Sequence, residues 1–280
     1  MDRLQRSILF ALAISVCSTT TVQTLADDST PLSRGPIHRF SFDGKGGEGV
    51  KLTDSIGNLD GQVFVEPPPK PLPFHEGSTT LVVLPDTEVY CAKRSSIFLD
   101  MMDWVAKNKV QRNIKYVLHV GDITNNNQKY EWEHARKAFN IIEGKIPYVL
   151  AAGNHDYDHT EGRLTYMNEH FKVEDQKKWP TFGNVYEEGK LENHYQLMQI
   201  NGQKWIVLSL EMGPRNDVID WANAVLAKHK DRLAIILTHA FLYYGNERYN
   251  HKKGSQRASP YNVDGECADG EILVNLLVRR

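Results

Sequence analysis

The sequence has few cysteines, no excess of charge of either sign and no internal repeat. Three of its 280 residues are cysteine, too few for a disulfide framework. The net charge is −2, so the charge balance does not favour nucleic acid or an acidic membrane as a partner. Apolar residues 8–16 form too short a run for a membrane-spanning helix, which needs about 20 residues. These absences leave an ordinary globular protein with one large domain or two small ones.

The N-terminus has the pattern of an export signal. Two arginines precede the apolar run, and small or polar residues lead from it to Ala26. This order predicts a signal peptide over residues 1–26 and a protein that is periplasmic or secreted. Its removal would leave Cys91 and Cys267, which an exported compartment permits either to pair or to remain as two free thiols.

A proline-rich stretch divides the remaining chain. Residues 27–78 are rich in loop-forming residues and include the stiff linker 67–73, so we predict a boundary before a main domain at 79–280. Residues 37–65 resemble the opening strands of a laminin-G-like jelly roll but are too few to close a sandwich. A remnant and a docked hairpin are both compatible with this segment, and its role stays open.

The main domain alternates strand-like and helix-like patterns. Residues 194–210 predict a hairpin around Asn201-Gly202, and residues 158–189 predict a long irregular loop over the site. Amphipathic helices are predicted at 95–105, 130–143, 217–227 and 271–278.

Four apolar segments of strand length each end at a polar side chain. The polar residues that follow them are Asp86, Asp122, Asn154 with His155, and His239. A helical segment between the second and third predicts a right-handed crossover that joins parallel strands. Sites in such sheets lie just beyond the carboxyl ends of the strands. Carboxylate and amide oxygens with imidazole nitrogens are ligands for divalent metals. Each residue alone also fits a helix cap, a tight turn or a structural histidine, but their shared placement favours a site.

The order of these motifs resembles the calcineurin-like metallophosphoesterase superfamily. Gly121-Asp122-x-x-Asn125 precedes Gly153-Asn154-His155-Asp156, and His239 follows later; the resemblance covers residues 79–280 and points to an exported branch. It implies an α/β (α+β) fold, a β-sandwich of two mixed sheets flanked by helices, with two divalent metal ions (Mn, Fe or Zn) at one edge. The implied reaction is hydrolysis of a phosphate mono- or diester.

The resemblance also assigns roles to single residues. Asp86 would bind the first metal, Asp122 would bridge both, and Asn154 and His239 would bind the second. The proton donor to the leaving oxygen would be His155.

Two further assignments concern support of the site. Asp156 would orient His155, and Asn125 would support the metal-binding residues from behind.

Two departures from the family pattern matter. Where the family has Asp-x-His, this chain has Asp86-Thr87-Glu88, so Glu88 is either an oxygen ligand that favours harder ions or a residue that supports a ligand. The family's closing Gly-His-x-His motif is absent. We therefore expect a domain that lacks the last strands and their histidines. The alternative function is a catalytically inactive or metal-poor fold that acts as an extracytoplasmic binding protein.

Overall fold

The structure is a computed structural model that describes residues 74–158, 163–243, 247–253 and 267–278, with three two-residue strands before them. Internal contacts divide the chain into two compact units, residues 17–75 and residues 1–16 with 76–280. The predicted domain boundaries, signal peptide and jelly-roll remnant fall largely on residues outside this description and stay predictions.

The strands are β1 (Leu9–Phe10), β2 (Lys51–Leu52), β3 (Gly61–Gln62), β4 (Thr80–Leu84), β5 (Ile114–His119), β6 (Tyr148–Leu150), β7 (Phe182–Val185), β8 (His194–Ile200), β9 (Gln203–Ser209), β10 (Leu233–Leu237), β11 (Leu242–Tyr243) and β12 (Glu247–Arg248). The helices are α1 (Glu88–Lys93), α2 (Ser95–Asn108), α3 (Lys129–Phe139), α4 (Met167–His170), α5 (Val173–Gln176), α6 (Asn216–Lys228) and α7 (Gly270–Leu273). A π-helical segment, Val274–Val278, continues α7, and 3-10 turns form at Asn154–Asp156 and His251–Lys253. In the smaller unit, β2 and β3 pair antiparallel.

Two sheets form the body of the larger unit. One has the order β4-β5-β6, and its described strands are all parallel. The other has the order β1-β10-β9-β8-β7 and is mixed, because β10 and β9 run parallel whereas β8 and β7 are antiparallel to their neighbours. The small antiparallel pair of β11 and β12 lies outside both sheets.

Alternation along the strands explains how the sheets pack. In β5, Val117 belongs to a buried cluster with Phe98 and Trp132 of α2 and α3, whereas its neighbour Leu118 packs with Val207 of the other sheet. Successive side chains of a strand point to opposite faces, so an apolar run without polar interruptions marks a strand that is covered on both sides. The layers are therefore helices, sheet, sheet and helices.

A third cluster completes these layers. Leu208 of β9 and Ile236 of β10 pack with Val218 and Ala222 of α6. This arrangement confirms the predicted mixed α/β fold, a β-sandwich of two sheets flanked by helices.

Local sequence explains several elements directly. The hairpin of β8 and β9 turns at Asn201 and Gly202, which have φ of 48° and 80°, as a two-residue turn requires. Strand β6 leads into the Asn154–Asp156 turn, and the helix between β5 and β6 is α3 as predicted.

The prediction that residues 158–189 form an irregular loop is wrong. The described part of this segment holds α4, α5 and the edge strand β7. Each element is only four residues long, too short to show a helical or alternating pattern in the sequence.

The thiol of Cys91 is free and buried, so no disulfide joins it to Cys267. No helix of the described ranges is long and apolar enough to span a membrane.

Candidate metal centre

The carboxyl ends of four strands meet at one edge of the sandwich. Asp86 follows β4, Asp122 follows β5, the turn with Asn154 follows β6, and His239 follows β10. His239 reaches from the second sheet to residues of the first: its Nε2 lies 3.2 Å from Asp122 Oδ2, and its Nδ1 lies 3.9 Å from Asp86 Oδ1. The structure thus brings together side chains that are far apart in the sequence.

Glu88 and His155 form a second group with Asp122. His155 Nε2 lies 3.5 Å from Glu88 Oε2. In this group, and in the group of Asp86, Asp122 and His239, the metal-binding atoms all lie within 4.8 Å of one another. Asp122 belongs to both groups, which is the arrangement that a bridging carboxylate requires.

The backbone around Asp122 aims its carboxylate at this edge. Asp122 has a left-handed backbone with φ of 49°, which is unfavourable for a residue with a Cβ and persists only where its surroundings hold it. Here the Asp122 carbonyl accepts the Thr87 N–H at 3.0 Å, and Asp122 Oδ1 accepts the His155 N–H at 2.9 Å.

Gly121 allows the close packing before Asp122. Its φ is 107°, and a Cβ there would lie 2.8 Å from His239 Nδ1 and 2.9 Å from the Gly153 nitrogen. Glycine is therefore required by both conformation and space.

Asp156 connects the two loops that carry Asp122 and His155. It is fully buried, its Oδ2 accepts the N–H groups of Ile123 and Gly153, and its Oδ1 accepts the N–H and hydroxyl of Thr124. Burial and the nearby Asp122 charge raise the pKa of Asp156 to about 7, although these hydrogen bonds act in the opposite direction. Its predicted role in orienting His155 stays a prediction.

The His155 ring has a partner in the backbone of Asn125. His155 Nδ1 lies 2.7 Å from the Asn125 carbonyl oxygen. Because a carbonyl only accepts, Nδ1 carries a proton and Nε2 is turned toward Glu88. Asn125 therefore contributes its main chain to the site, which its motif position alone does not reveal. Asn154 is 9% exposed and begins the turn that precedes His155.

Opposite charges dominate the electrostatics of the centre. Burial lowers the pKa of His239, but the carboxylates of Asp122 and Asp86 raise it to about 9. Burial also lowers the pKa of His155, while the Asn125 carbonyl and the charges of Asp122 and Glu88 raise it above its ordinary value. Burial and mutual repulsion raise the pKa of Asp86 and of Glu88.

The donor set fits divalent metal ions. Three carboxylates converge on two imidazoles, so a bound cation would relieve the repulsion between them. Glu88 Oε2 is buried and accepts no hydrogen bond among the described residues, which leaves a lone pair available for a cation. Its ion-pair partner is His155 Nε2 at 3.5 Å, and a buried oxygen without a hydrogen bond favours the interpretation of Glu88 as an oxygen ligand.

The sequence predicts no role for two groups of buried polar residues that the structure reveals. The first is Thr87 with His119. The second is Glu211 at the end of β9, whose carboxylate lies 3.2 Å from Arg163 Nη1 and 2.9 Å from Arg215 Nε. Their only sequence signal is a polar residue inside or directly after an apolar strand.

Comparison with known proteins agrees with this geometry. Residues 79–268 match the calcineurin-like phosphoesterase family, and the chain belongs to this family. The predicted family is thus confirmed. An uncharacterized protein of Bacillus subtilis (strain 168), YvnB, is 33% identical over 171 residues, which are 60% of this chain and 13% of that protein. The chain therefore spans a small part of the length of this curated relative.

One solved structure aligns with part of the chain. Purple acid phosphatase PPD1 from yellow lupin (Lupinus luteus) seeds aligns over 72% of this chain and 36% of its own, with 17% sequence identity and a TM-score of 0.41.

Proposed function

We propose that this chain hydrolyses phosphate mono- or diesters with the help of two divalent metal ions, Mn, Fe or Zn. The observation that carries the proposal is the membership of Asp122 in both groups of potential ligands. Membership of the calcineurin-like phosphoesterase family supports it. When bound, the ions would activate a water molecule and neutralise charge that develops on the phosphoryl oxygens.

The chain's own residues would hold these ions at the sheet edge. Asp122 would be shared, and the other ligands would be Asp86, Glu88, Asn154 and His239. The family resemblance places Asp86 and His239 on different ions, whereas in the structure they lie together on one side of Asp122. The other group around Asp122 is formed by Glu88 and His155, so the geometry differs from the resemblance in how it divides the candidate ligands between the two ions.

His155 would donate the proton to the leaving oxygen. Its Nδ1 proton is held by the Asn125 carbonyl, so the Nε2 proton is the one available for transfer. The side chain is 35% exposed, which leaves the ring accessible to a bound ester. Burial lowers the pKa of His155, but the Asn125 carbonyl and the neighbouring carboxylates raise it above its ordinary value, which favours the protonated ring that an acid needs before it acts.

Substitution of Asp122 tests the central claim. Asp122→Asn removes the shared charge and should lower Mn-dependent turnover of p-nitrophenyl phosphate and bis-p-nitrophenyl phosphate by on the order of 100-fold or more. Asp100→Asn is the matched control, because it makes the same chemical change on the exposed surface of α2. Full activity of the Asp122→Asn variant would refute the proposal.

The role of His155 has a separate test, since His155 also lies among the potential ligands. A general acid matters most when the leaving group is a poor one. His155→Gln should therefore slow hydrolysis of phenyl phosphate more than that of p-nitrophenyl phosphate, with unchanged metal content. An equal loss on both substrates together with a lower metal content would assign His155 as a ligand instead.

A further inference from the structure

Thr87 separates Asp86 from Glu88 and is fixed by three hydrogen bonds to the last residue of β5 and to the loop that follows it. Its N–H donates to the Asp122 carbonyl at 3.0 Å, and its hydroxyl donates to the Ile123 carbonyl at 3.1 Å. The same hydroxyl oxygen lies 2.9 Å from His119 Nε2. Thr87 is fully buried, so water does not replace these partners.

The hydrogen-bond directions around His119 follow from its neighbours. The Gly121 N–H donates to His119 Nδ1 at 3.2 Å, so Nδ1 is unprotonated and Nε2 carries the proton. Nε2 then donates to the Thr87 hydroxyl, whose own hydrogen points to the Ile123 carbonyl. Every donor in this chain of bonds meets an acceptor.

Packing keeps the His119 ring in this orientation. The ring is fully buried, and its centroid lies 6.4 Å from that of Phe98 and 6.3 Å from that of Phe139. Burial lowers the pKa of His119 to about 3, in keeping with a neutral ring. A ring held by aromatic neighbours on α2 and α3 is a fixed support for the residues that it contacts.

We propose that Thr87 and His119 are positioning residues that hold Asp86 and Glu88 at a fixed separation from Asp122, and so set the affinity of the metal centre; this inference rests on the proposed metal-dependent function. Thr87 lies between Asp86 and Glu88 in the sequence, and its N–H donates to the backbone carbonyl of Asp122. Residues that orient metal ligands in this way typically change affinity by about 10- to 100-fold when they are replaced.

Substitutions of Thr87 test the hydroxyl. Thr87→Val keeps the shape and removes the side-chain hydrogen bonds to His119 and Ile123 and the weaker one from the Cys91 thiol, whereas Thr87→Ser keeps the hydroxyl. The matched control is Thr80→Val at the other end of β4, where the Thr80 hydroxyl donates to the Arg112 carbonyl at 2.6 Å. The readouts are Mn²⁺ affinity of the chelator-treated full chain, by titration calorimetry, and its midpoint of unfolding without metal.

Thr87→Val should weaken Mn²⁺ binding by about 10- to 100-fold. Thr87→Ser and Thr80→Val should stay within about threefold of the parent chain, although Thr80→Val also loses a side-chain hydrogen bond and should lower the unfolding midpoint. Two substitutions of His119 test its ring in the same way. His119→Gln can place an amide N–H at the position of Nε2 and should retain affinity, whereas His119→Phe should lose it.

The outcomes separate this inference from the proposed function. If the parent chain binds no Mn²⁺, the proposed function fails and this inference fails with it. If the parent chain binds Mn²⁺ and Thr87→Val binds it equally well, only the positioning role is overturned. Should Thr87→Val not fold, the His119→Gln and His119→Phe pair decides the question, since equal affinity of these two variants would overturn the role.

Discussion

Gly153→Ala should lower activity through steric overlap with Asp122 alone. The backbone of Gly153 has φ of −99° and ψ of −174°, an extended conformation that alanine adopts without strain. A methyl group there would overlap Asp122 Oδ1 and the Asp122 backbone nitrogen, and would lie 2.8 Å from Asp122 Cγ. The substitution therefore acts on the shared carboxylate and not on the conformation of residue 153.

The size of the effect follows from this overlap. Restoring ordinary contact distances requires Asp122 to move by about 1 Å, and a misplacement of about 1 Å in a catalytic group costs on the order of 100-fold in rate. Overpacking of a buried position lowers the free energy of unfolding by about 1–3 kcal/mol. The variant should thus fold, with activity reduced far more than stability.

Gly144→Ala is the control for this prediction. Gly144 has φ of 69° and no heavy atom within 4 Å of its would-be Cβ, so alanine there costs about 1–2 kcal/mol through its left-handed backbone and contacts nothing. The assay is kcat/KM for bis-p-nitrophenyl phosphate across Mn²⁺ concentrations, beside urea unfolding. The reasoning would be refuted if Gly153→Ala kept its activity, or if Gly144→Ala lost as much.

Two further predictions concern stability. Glu211→Gln should lower the free energy of unfolding by about 3–5 kcal/mol, because it removes a buried counter-charge of Arg163 and Arg215. The measurement is urea unfolding, and the control is Asp231→Asn, which removes an exposed partner of Lys204 and should cost much less. Equal losses in the two variants would contradict the argument from burial. Burial lowers the pKa of His194 to about 4. Since the unfolded histidine binds its proton at about pH 6.5, stability should be complete above that pH and should fall by up to about 3 kcal/mol as pH drops from 6.5 to 4. His194→Gln should flatten this dependence in unfolding curves at pH 7 and 5, and an unchanged slope would speak against it.

The strands and their polar ends could be predicted from the sequence because both leave local patterns. A strand covered on both faces is a short apolar run, and a polar side chain marks its end, directly after a glycine at Asp122 and Asn154. The hairpin at Asn201-Gly202 could be predicted for the same reason, since the turn residues alone specify its backbone. These local signals were enough to place Asp86, Asp122, Asn154 and His239 at one edge.

Contacts between residues that are distant in the sequence leave no local pattern from which they could be predicted. Thr87 and His119 are 32 residues apart, and their hydrogen bond depends on the pairing of β4 with β5. Helix α1 is also missing from the prediction, because six residues directly after Asp86-Thr87 are too few to show an apolar face. The neighbours of Glu88 and the backbone contact of Asn125 with His155 likewise become visible only in three dimensions.

Metal content measured beside turnover tests the central claim most directly. Elemental analysis of the purified protein should find about two divalent ions per chain, a number that rests on the proposed dinuclear centre, in which both groups of potential ligands include Asp122. Mn-supplemented protein should hydrolyse p-nitrophenyl phosphate or bis-p-nitrophenyl phosphate, and Asp122→Asn should lose both the ions and the turnover. Fewer than about one ion per chain with no turnover would contradict a dinuclear hydrolase and would favour a metal-poor fold that serves in binding.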